Sequence, residues 1–256
     1  MKPIHPERFQ SLVQEAQTTP FAGWDFTWLT GRMHQEEPPW NYPDLVQSHL
    51  GGVNRLLDMG TGGGEFLASL NPLPLETHAT EAYPPNLPIA QARLSPLGVT
   101  VHNITEGSPL PFKDQYFDLV INRHESYDHQ EIYRILRPGG LFITQQVSEL
   151  DNLELNLLLE DEKAHNLTDW GLESEVFHLS EAGLSIIRAE KAALRSTFKD
   201  IGAVIYYLKA IPWQIEGFSI ETQFDNLVRL HNFMEWQGEL ITTAHRFLII
   251  ARKEPL

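Results

Sequence analysis

Leu56-Leu57-Asp58-Met59-Gly60-Thr61-Gly62-Gly63-Gly64-Glu65 is the stretch that decides the architecture. It reads as an apolar strand ending in an acid, then a glycine turn, then the start of a helix. Glycine lets the backbone turn tightly and lie against a ligand with no Cβ in the way. In a doubly wound sheet, nucleotide-like ligands occupy the crevice beyond the carboxyl end of such a strand. Outward from this point, strands are expected at 53–58, 76–81, 98–102, 117–122 and 141–147, with helices from Gly64 to Asn71-Pro72, at 86–97 and at 128–136. That rhythm predicts an α/β fold: a doubly wound, Rossmann-like, mostly parallel sheet with right-handed crossovers.

The glycine spacing excludes one ligand and favours another. A pyrophosphate-binding turn needs glycine at its first, third and sixth positions. Counting from Gly60, the sixth is Glu65. Carboxylates at 58 and 65 repel a pyrophosphate and suit a cationic, phosphate-free nucleoside, which describes S-adenosylmethionine. Nicotinamide dehydrogenase chemistry fails on this count.

Composition bounds the rest. The chain has 256 residues, 19 Lys plus Arg against 34 Asp plus Glu, and no cysteine. A formal charge of −15 disfavours unassisted nucleic-acid binding, which depends on neutralising phosphates. Without cysteine there is no disulfide, thiolate nucleophile or thiolate-bound zinc. Met1-Lys2-Pro3-Ile4-His5-Pro6 lacks the apolar core of a signal peptide, and no apolar run reaches the length of a membrane span. A soluble cytoplasmic protein, monomeric or homodimeric, is expected. The eleven histidines show no His-x-x-x-His or carboxylate pair at ligand spacing, so no metal is expected.

With these residues in view, residues 45–147 resemble the class I S-adenosylmethionine-dependent methyltransferases of the small-molecule type 11-like group. Asp58-x-Gly60-x-Gly62-x-Gly64 is similar to that family's first motif. Glu81 ends the second strand where the family holds the ribose hydroxyls. Glu106-Gly107 resembles the loop that receives the adenine amino group, with glutamate where family members often have aspartate. Pro111-Phe112-x-x-x-x-Phe117-Asp118-Leu119-Val120 and Leu136-Arg137-Pro138-Gly139-Gly140 match the flanks of its fourth and fifth strands. The resemblance implies that S-adenosylmethionine is bound, and S-adenosylhomocysteine released, by Tyr42, Asp58, Gly60, Thr61, Gly62, Gly64, Glu81, Ala82, Glu106, Gly107, Asn122 and Arg123. The reaction it implies is in-line methyl transfer to a small molecule. RNA or protein acceptors on the same fold, and non-catalytic cofactor binding, are the alternatives.

Asn122-Arg123-His124-Glu125-Ser126-Tyr127-Asp128-His129 is the polar cluster after the fourth core strand. His124 is the candidate general base, because histidine titrates near neutral pH; otherwise it braces the loop or bonds Glu125. Trp24, Trp28, Trp40 and Tyr42 read either as a lid that excludes water or as a small apolar subcore. Gln145, Gln146 and Trp213 are weaker suggestions for a pocket wall. Beyond residue 150 helices are expected at 150–166, 198–211 and 220–236, with strands at 184–193 and 246–251, the last antiparallel. The expected whole is one domain, 1–256, with a seven-stranded sheet: an N-terminal lid segment (1–44), a cofactor-binding core (45–147) and a helical elaboration with closing strands (148–256).

Overall fold

The computed structural model describes residues 2–21, 26–105, 107–160 and 169–255. Trp24 and Glu106 lie outside them. The chain divides into two compact units: residues 1–37, 149–168 and 193–245 in the first, and 38–148, 169–192 and 246–256 in the second. The divisions thus fall at 37/38, 148/149, 168/169, 192/193 and 245/246, where the sequence suggested one domain segmented at 44/45 and 147/148.

The second unit holds the sheet. Its strands are β2 (Arg55–Met59), β3 (Glu76–Glu81), β4 (Thr100–Asn103), β5 (Phe117–Arg123) and β6 (Leu136–Val147), with stretches of β7 (Leu184–Phe198) and β8 (Leu240–Lys253). The order is β7-β8-β6-β5-β2-β3-β4. Pairs β2–β3, β3–β4, β2–β5 and β5–β6 are parallel, and β6–β8 is antiparallel. Chain order reverses at β2, which has β3 on one side and β5 on the other. This is the switch point at which α/β sheets bind ligands.

Period-two burial explains why both faces are covered. Leu56, Leu119, Ile121, Ile143 and Leu248 enter one apolar cluster, with Val46, Leu67, Ala90 and Leu94 from α2 (Tyr42–His49), α3 (Glu65–Ser69) and α4 (Leu87–Leu94). Leu57, Val120, Phe142 and Ile249 enter the other, with Ile132 and Ile135 from α5 (His129–Ile135) and Leu179 from α7 (Leu172–Glu181). Neighbours along one strand point to opposite faces, so each strand must be apolar on both. Asp118 fastens the start of β2 to β5, accepting 2.8 Å bonds from the Asn54 and Arg55 amides.

The first unit is mainly helical. It contains α1 (Pro6–Thr18), a short 3-10 turn (Thr27–Leu29), β1 (Met33–Gln35), α6 (Leu153–Leu159), α8 (Ile201–Ala210) and α9 (Phe224–Gln237). Helix α8 is buried on nearly every side, which is why it reads as an unbroken apolar run and not as an amphipathic stripe. Asp200 caps it, accepting from the Ala203 amide at 2.9 Å, and holds the Arg32 guanidinium at 2.6 and 3.0 Å.

Several boundaries correct the expected ones. The sheet has eight strands rather than seven, because β1 adds an antiparallel pairing with Ser196–Phe198. Strands β7 and β8 run well past the expected 184–193 and 246–251. Pro138-Gly139-Gly140 lies within β6, where Gly139 takes a left-handed φ of 81° and the register to β5 shifts between Phe117 and Leu119. Helix α6 stops at Leu159, and residues 161–168 are outside the described set.

Candidate functional site

The carboxyl ends of β2, β3 and β5 converge on the glycine turn. Asp58 is level with Ala79 on β3 and Ile121 on β5, and Met59 with Asn122. Buried at 4% exposure, Asp58 accepts a 2.7 Å bond from the Thr61 hydroxyl. Burial pushes its carboxyl up to about 7; nearby Glu81 adds to the rise, while the Thr61 bond and Arg123 oppose it. A group this displaced beside a ligand crevice is the usual sign of a binding or reacting position.

The turn itself is held open by glycine. Gly60, Gly62 and Gly64 have φ of 63°, 61° and 79°, in the left-handed region that side chains resist. The turn is stitched to β3 by the Thr61 amide, which donates to the Thr80 carbonyl at 2.9 Å. A Cβ on Gly60 would lie 2.6 Å from the Glu125 side chain, and one on Gly64 2.7 Å from Leu94. At Gly62 a Cβ would meet nothing within 4 Å. Gly62 therefore faces open space, while Gly60 and Gly64 are packed against their neighbours. Glu125 drapes over Gly60, a placement that sequence spacing could not show.

Glu65 stands differently from the expectation that it repels pyrophosphate. Its carboxylate, largely exposed, is ion-paired with Arg93, which also donates to the Gly63 carbonyl. Asp58 is the buried acid at the turn. Glu81, 5% exposed at the end of β3, uses Oε1 to accept from the Tyr83 amide at 2.7 Å. Ala82 follows it, half-buried, and Gly107 is exposed with φ 75°.

Beyond β5 the structure sorts the polar cluster by strand parity. Asn122, Thr144 and Gln146 share one side. Asn122 Oδ1 accepts from Gln146 Nε2 at 2.6 Å and from the Thr144 hydroxyl at 3.3 Å, and Gln146 Nε2 also reaches the Glu125 carbonyl at 3.0 Å. Gln145 points the other way, where its Oε1 accepts from Trp40 Nε1 at 2.8 Å and its Nε2 lies 3.4 Å from His124 Nε2. One buried glutamine on each face explains the unusual Gln145-Gln146 pair at the end of an apolar strand.

His124 has a φ of 66°, rare for a residue with a Cβ and a mark of a constrained position. Its amide donates to the Gln145 carbonyl at 3.0 Å. Burial, then the charges of Arg246 and Arg123, lower its imidazole to about 3. The ring is therefore neutral across the physiological range and does not titrate near neutrality, the property on which its selection as a base rested. Arg123 is exposed, its guanidinium 5.9 Å from the Tyr42 ring centroid.

Of the aromatic set, Trp40 and Tyr42 are buried in the sheet-covering cluster. The Tyr42 hydroxyl donates to the Asn122 carbonyl at 2.9 Å, so it anchors the start of α2 to the end of β5. Trp28 belongs to the first unit, packed 4.6 Å from the Tyr206 ring and 3.8 Å from the Arg32 guanidinium. Trp40 and Tyr42 are core residues, and Trp28 is half-buried against the core of the first unit. Trp213 is exposed.

Comparison with known proteins agrees with this geometry. Residues 57–144 match the model of a methyltransferase domain. Over 98 residues the chain is 32% identical to the ubiquinone biosynthesis O-methyltransferase of two strains of Cereibacter sphaeroides, covering 35% of this chain and 39% of the relative. The chain thus spans well under half the length of the curated relatives it matches. Three solved structures share the fold. The YcgJ protein of Bacillus subtilis is 18% identical with a TM-score of 0.57, covering 84% of this chain and 98% of that one. The cyclase SpnF is 16% identical with a TM-score of 0.53, covering 96% and 93%. A geranyl diphosphate methyltransferase in complex with S-adenosylmethionine is 15% identical with a TM-score of 0.50, covering 82% and 84%. By its core, with the acid-flanked glycine turn at the switch point of the sheet, the chain is similar over residues 57–144 to a methyltransferase domain and shares the fold of class I S-adenosylmethionine-dependent methyltransferases.

Proposed function

We propose that this protein transfers the methyl group of S-adenosylmethionine to a small-molecule acceptor. The observation that carries the reading is the buried Asp58 beside a turn whose Gly62 opens onto free space. Such a cradle admits a nucleoside, and its carboxylate favours one bearing ammonium and sulfonium charge. Glu81, with Oε2 available beside the engaged Oε1, supplies acceptors for ribose hydroxyls. The acidic composition and the partial similarity to an O-methyltransferase support a small acceptor over RNA. A structural neighbour on the same fold is a cyclase, so the fold by itself does not fix the reaction.

When bound, the cofactor supplies an electrophilic methyl on a good leaving group. Asp58, Glu81 and the glycine turn would hold the cofactor, which would supply its methyl for in-line displacement by an acceptor that gives up a proton. The protein's share is alignment and exclusion of water. In this reading His124 accepts a hydrogen bond from the acceptor, and with its imidazole near 3 it orients more than it deprotonates. His124→Ala should lower turnover toward the low end of the ~10²–10⁴-fold range for acid–base groups. The wild-type rate should show no step assignable to this imidazole between pH 5 and 9. A histidine step near 6.5 that disappears in the variant would contradict the assignment.

Calorimetric titration with S-adenosylmethionine, S-adenosylhomocysteine and NAD tests the cofactor. The first two should bind and NAD should not. Asp58→Ala and Glu81→Ala should each cost about 1–3 kcal/mol of cofactor affinity, the scale of lost buried hydrogen bonds. Unchanged affinity in both variants would remove the site. Mass analysis of small molecules, RNA and protein after incubation with labelled methyl donor separates the acceptor classes and exposes a reaction with no methyl transferred.

A further inference from the structure

Apart from the glycine turn, the structure brings together three side chains that the sequence holds 46 and 3 residues apart. His129 opens α5, and Glu175 and His178 lie one turn apart on the same face of α7. His129 Nε2 is 2.9 Å from Glu175 Oε2, and His178 Nδ1 is 3.7 Å from Glu175 Oε1. One donor atom from each lies within 4.8 Å of the other two. We infer that His129, Glu175 and His178 bind a divalent transition metal of the zinc class.

Three arguments converge on it. The first is donor chemistry: two imidazoles and one carboxylate form a set that zinc takes with a fourth position left for water. Magnesium and calcium prefer oxygen ligands. The second is distance. Tetrahedral bonds of about 2.0–2.1 Å set ligand atoms roughly 3.3–3.4 Å apart, and the observed 2.9 and 3.7 Å straddle that value. The two contacts use different oxygens of Glu175, and with one donor atom from each residue within 4.8 Å of the other two a modest rearrangement closes the set on one ion. The third is charge. The Glu175 side chain is 2% exposed, and among the described residues its ion-pair partners are the two histidines alone. A buried carboxylate needs a positive partner. A divalent ion supplies that charge permanently.

The Tyr127 ring sits edge-on to His129 at 5.3 Å and packs the imidazole in place. His129 and His178 are 25% and 44% exposed, so an ion reaches the buried carboxylate from solvent through the imidazoles. Once bound, it would tie α7 to the start of α5, which continues directly from the 123–128 loop after β5. This holds whether or not the glycine turn binds S-adenosylmethionine, and the experiment does not depend on that cofactor.

The test uses the full chain, stripped with a chelator and titrated calorimetrically with zinc chloride, with magnesium chloride in parallel. One zinc per chain should bind, magnesium should not, and cobalt(II) should give the visible bands of a four-coordinate ion. His129→Ala and His178→Gln should each weaken zinc at least tenfold and abolish the zinc-dependent rise in melting temperature. Glu175→Gln, which keeps the side-chain shape, should do the same if the alanine variant fails to fold. Absence of stoichiometric zinc binding would overturn the proposal. So would zinc binding of equal strength in both histidine variants, since nine other histidines could then be responsible.

Discussion

Alanine at position 60 is expected to destabilise the fold by about 2–4 kcal/mol, and alanine at position 62 by only about 1–2. Both residues have a left-handed φ near 60°, so both variants incur the backbone strain of an L side chain there. They differ in what the new methyl meets. At 60 it lies 2.6 Å from three atoms of Glu125, which must withdraw from the turn. Glu125 is followed by the chain leading into α5, and its carbonyl holds Gln146, so the shift is carried into the Asn122–Thr144–Gln146 network. At 62 the methyl projects into open space, and folding bears the strain term alone. Ligand binding should reverse the contrast. Gly62→Ala places a methyl where a nucleoside would pass, and its loss of S-adenosylmethionine affinity should exceed what its stability loss explains. Chemical denaturation and calorimetry on both variants provide the check. Equal loss of stability in the two would mean that Glu125 does not rest on Gly60. Full cofactor affinity in Gly62→Ala would place the ligand elsewhere.

The same residues show what could and could not be read from sequence. Asp58 and its three glycines are contiguous, and a strand, an acid and a tight turn each leave a local mark, so the switch point was legible. The double covering of the sheet was legible too, because Leu56-Leu57 and Leu119-Val120-Ile121 are apolar at consecutive positions. Strand β1 was not: Met33-His34-Gln35 has no alternation, and it is a strand only because Phe198, Thr197 and Ser196 pair with it. Glu125 over Gly60, Trp40 on Gln145 and His129 on Glu175 join residues 65, 105 and 46 positions apart. Contacts at such separations are made by topology and leave no spacing to detect. His124 is a different case. Its position after β5 was found, but its titration depends on burial and on Arg246, which comes from a distant strand of the same unit.

Cofactor affinity should rise about tenfold between pH 6 and pH 8 and level off above, because Asp58 must ionise to meet a cation. Its carboxyl is raised from the ordinary 3.8 to about 7, chiefly by burial. In the free protein Asp58 is therefore largely protonated at pH 6 and largely ionised at pH 8. A ligand bearing ammonium and sulfonium charge selects the ionised form, so binding below pH 7 releases a proton, and calorimetry in buffers of different ionisation enthalpy will register it. The sign for folding is opposite. A carboxyl whose folded pKa lies above its unfolded one adds stability that is fully present below about 3.8 and is lost as pH rises toward 7. The free protein should thus lose this contribution between about pH 4 and pH 7, largely before the cofactor reaches full affinity. Asp58→Asn removes both dependences: its stability should flatten between pH 4 and 7, and its cofactor affinity should be low and insensitive to pH. A wild-type affinity that stays constant from pH 6 to 8, with no proton released, would show that the acid at the end of β2 is not what recognises the ligand's charge.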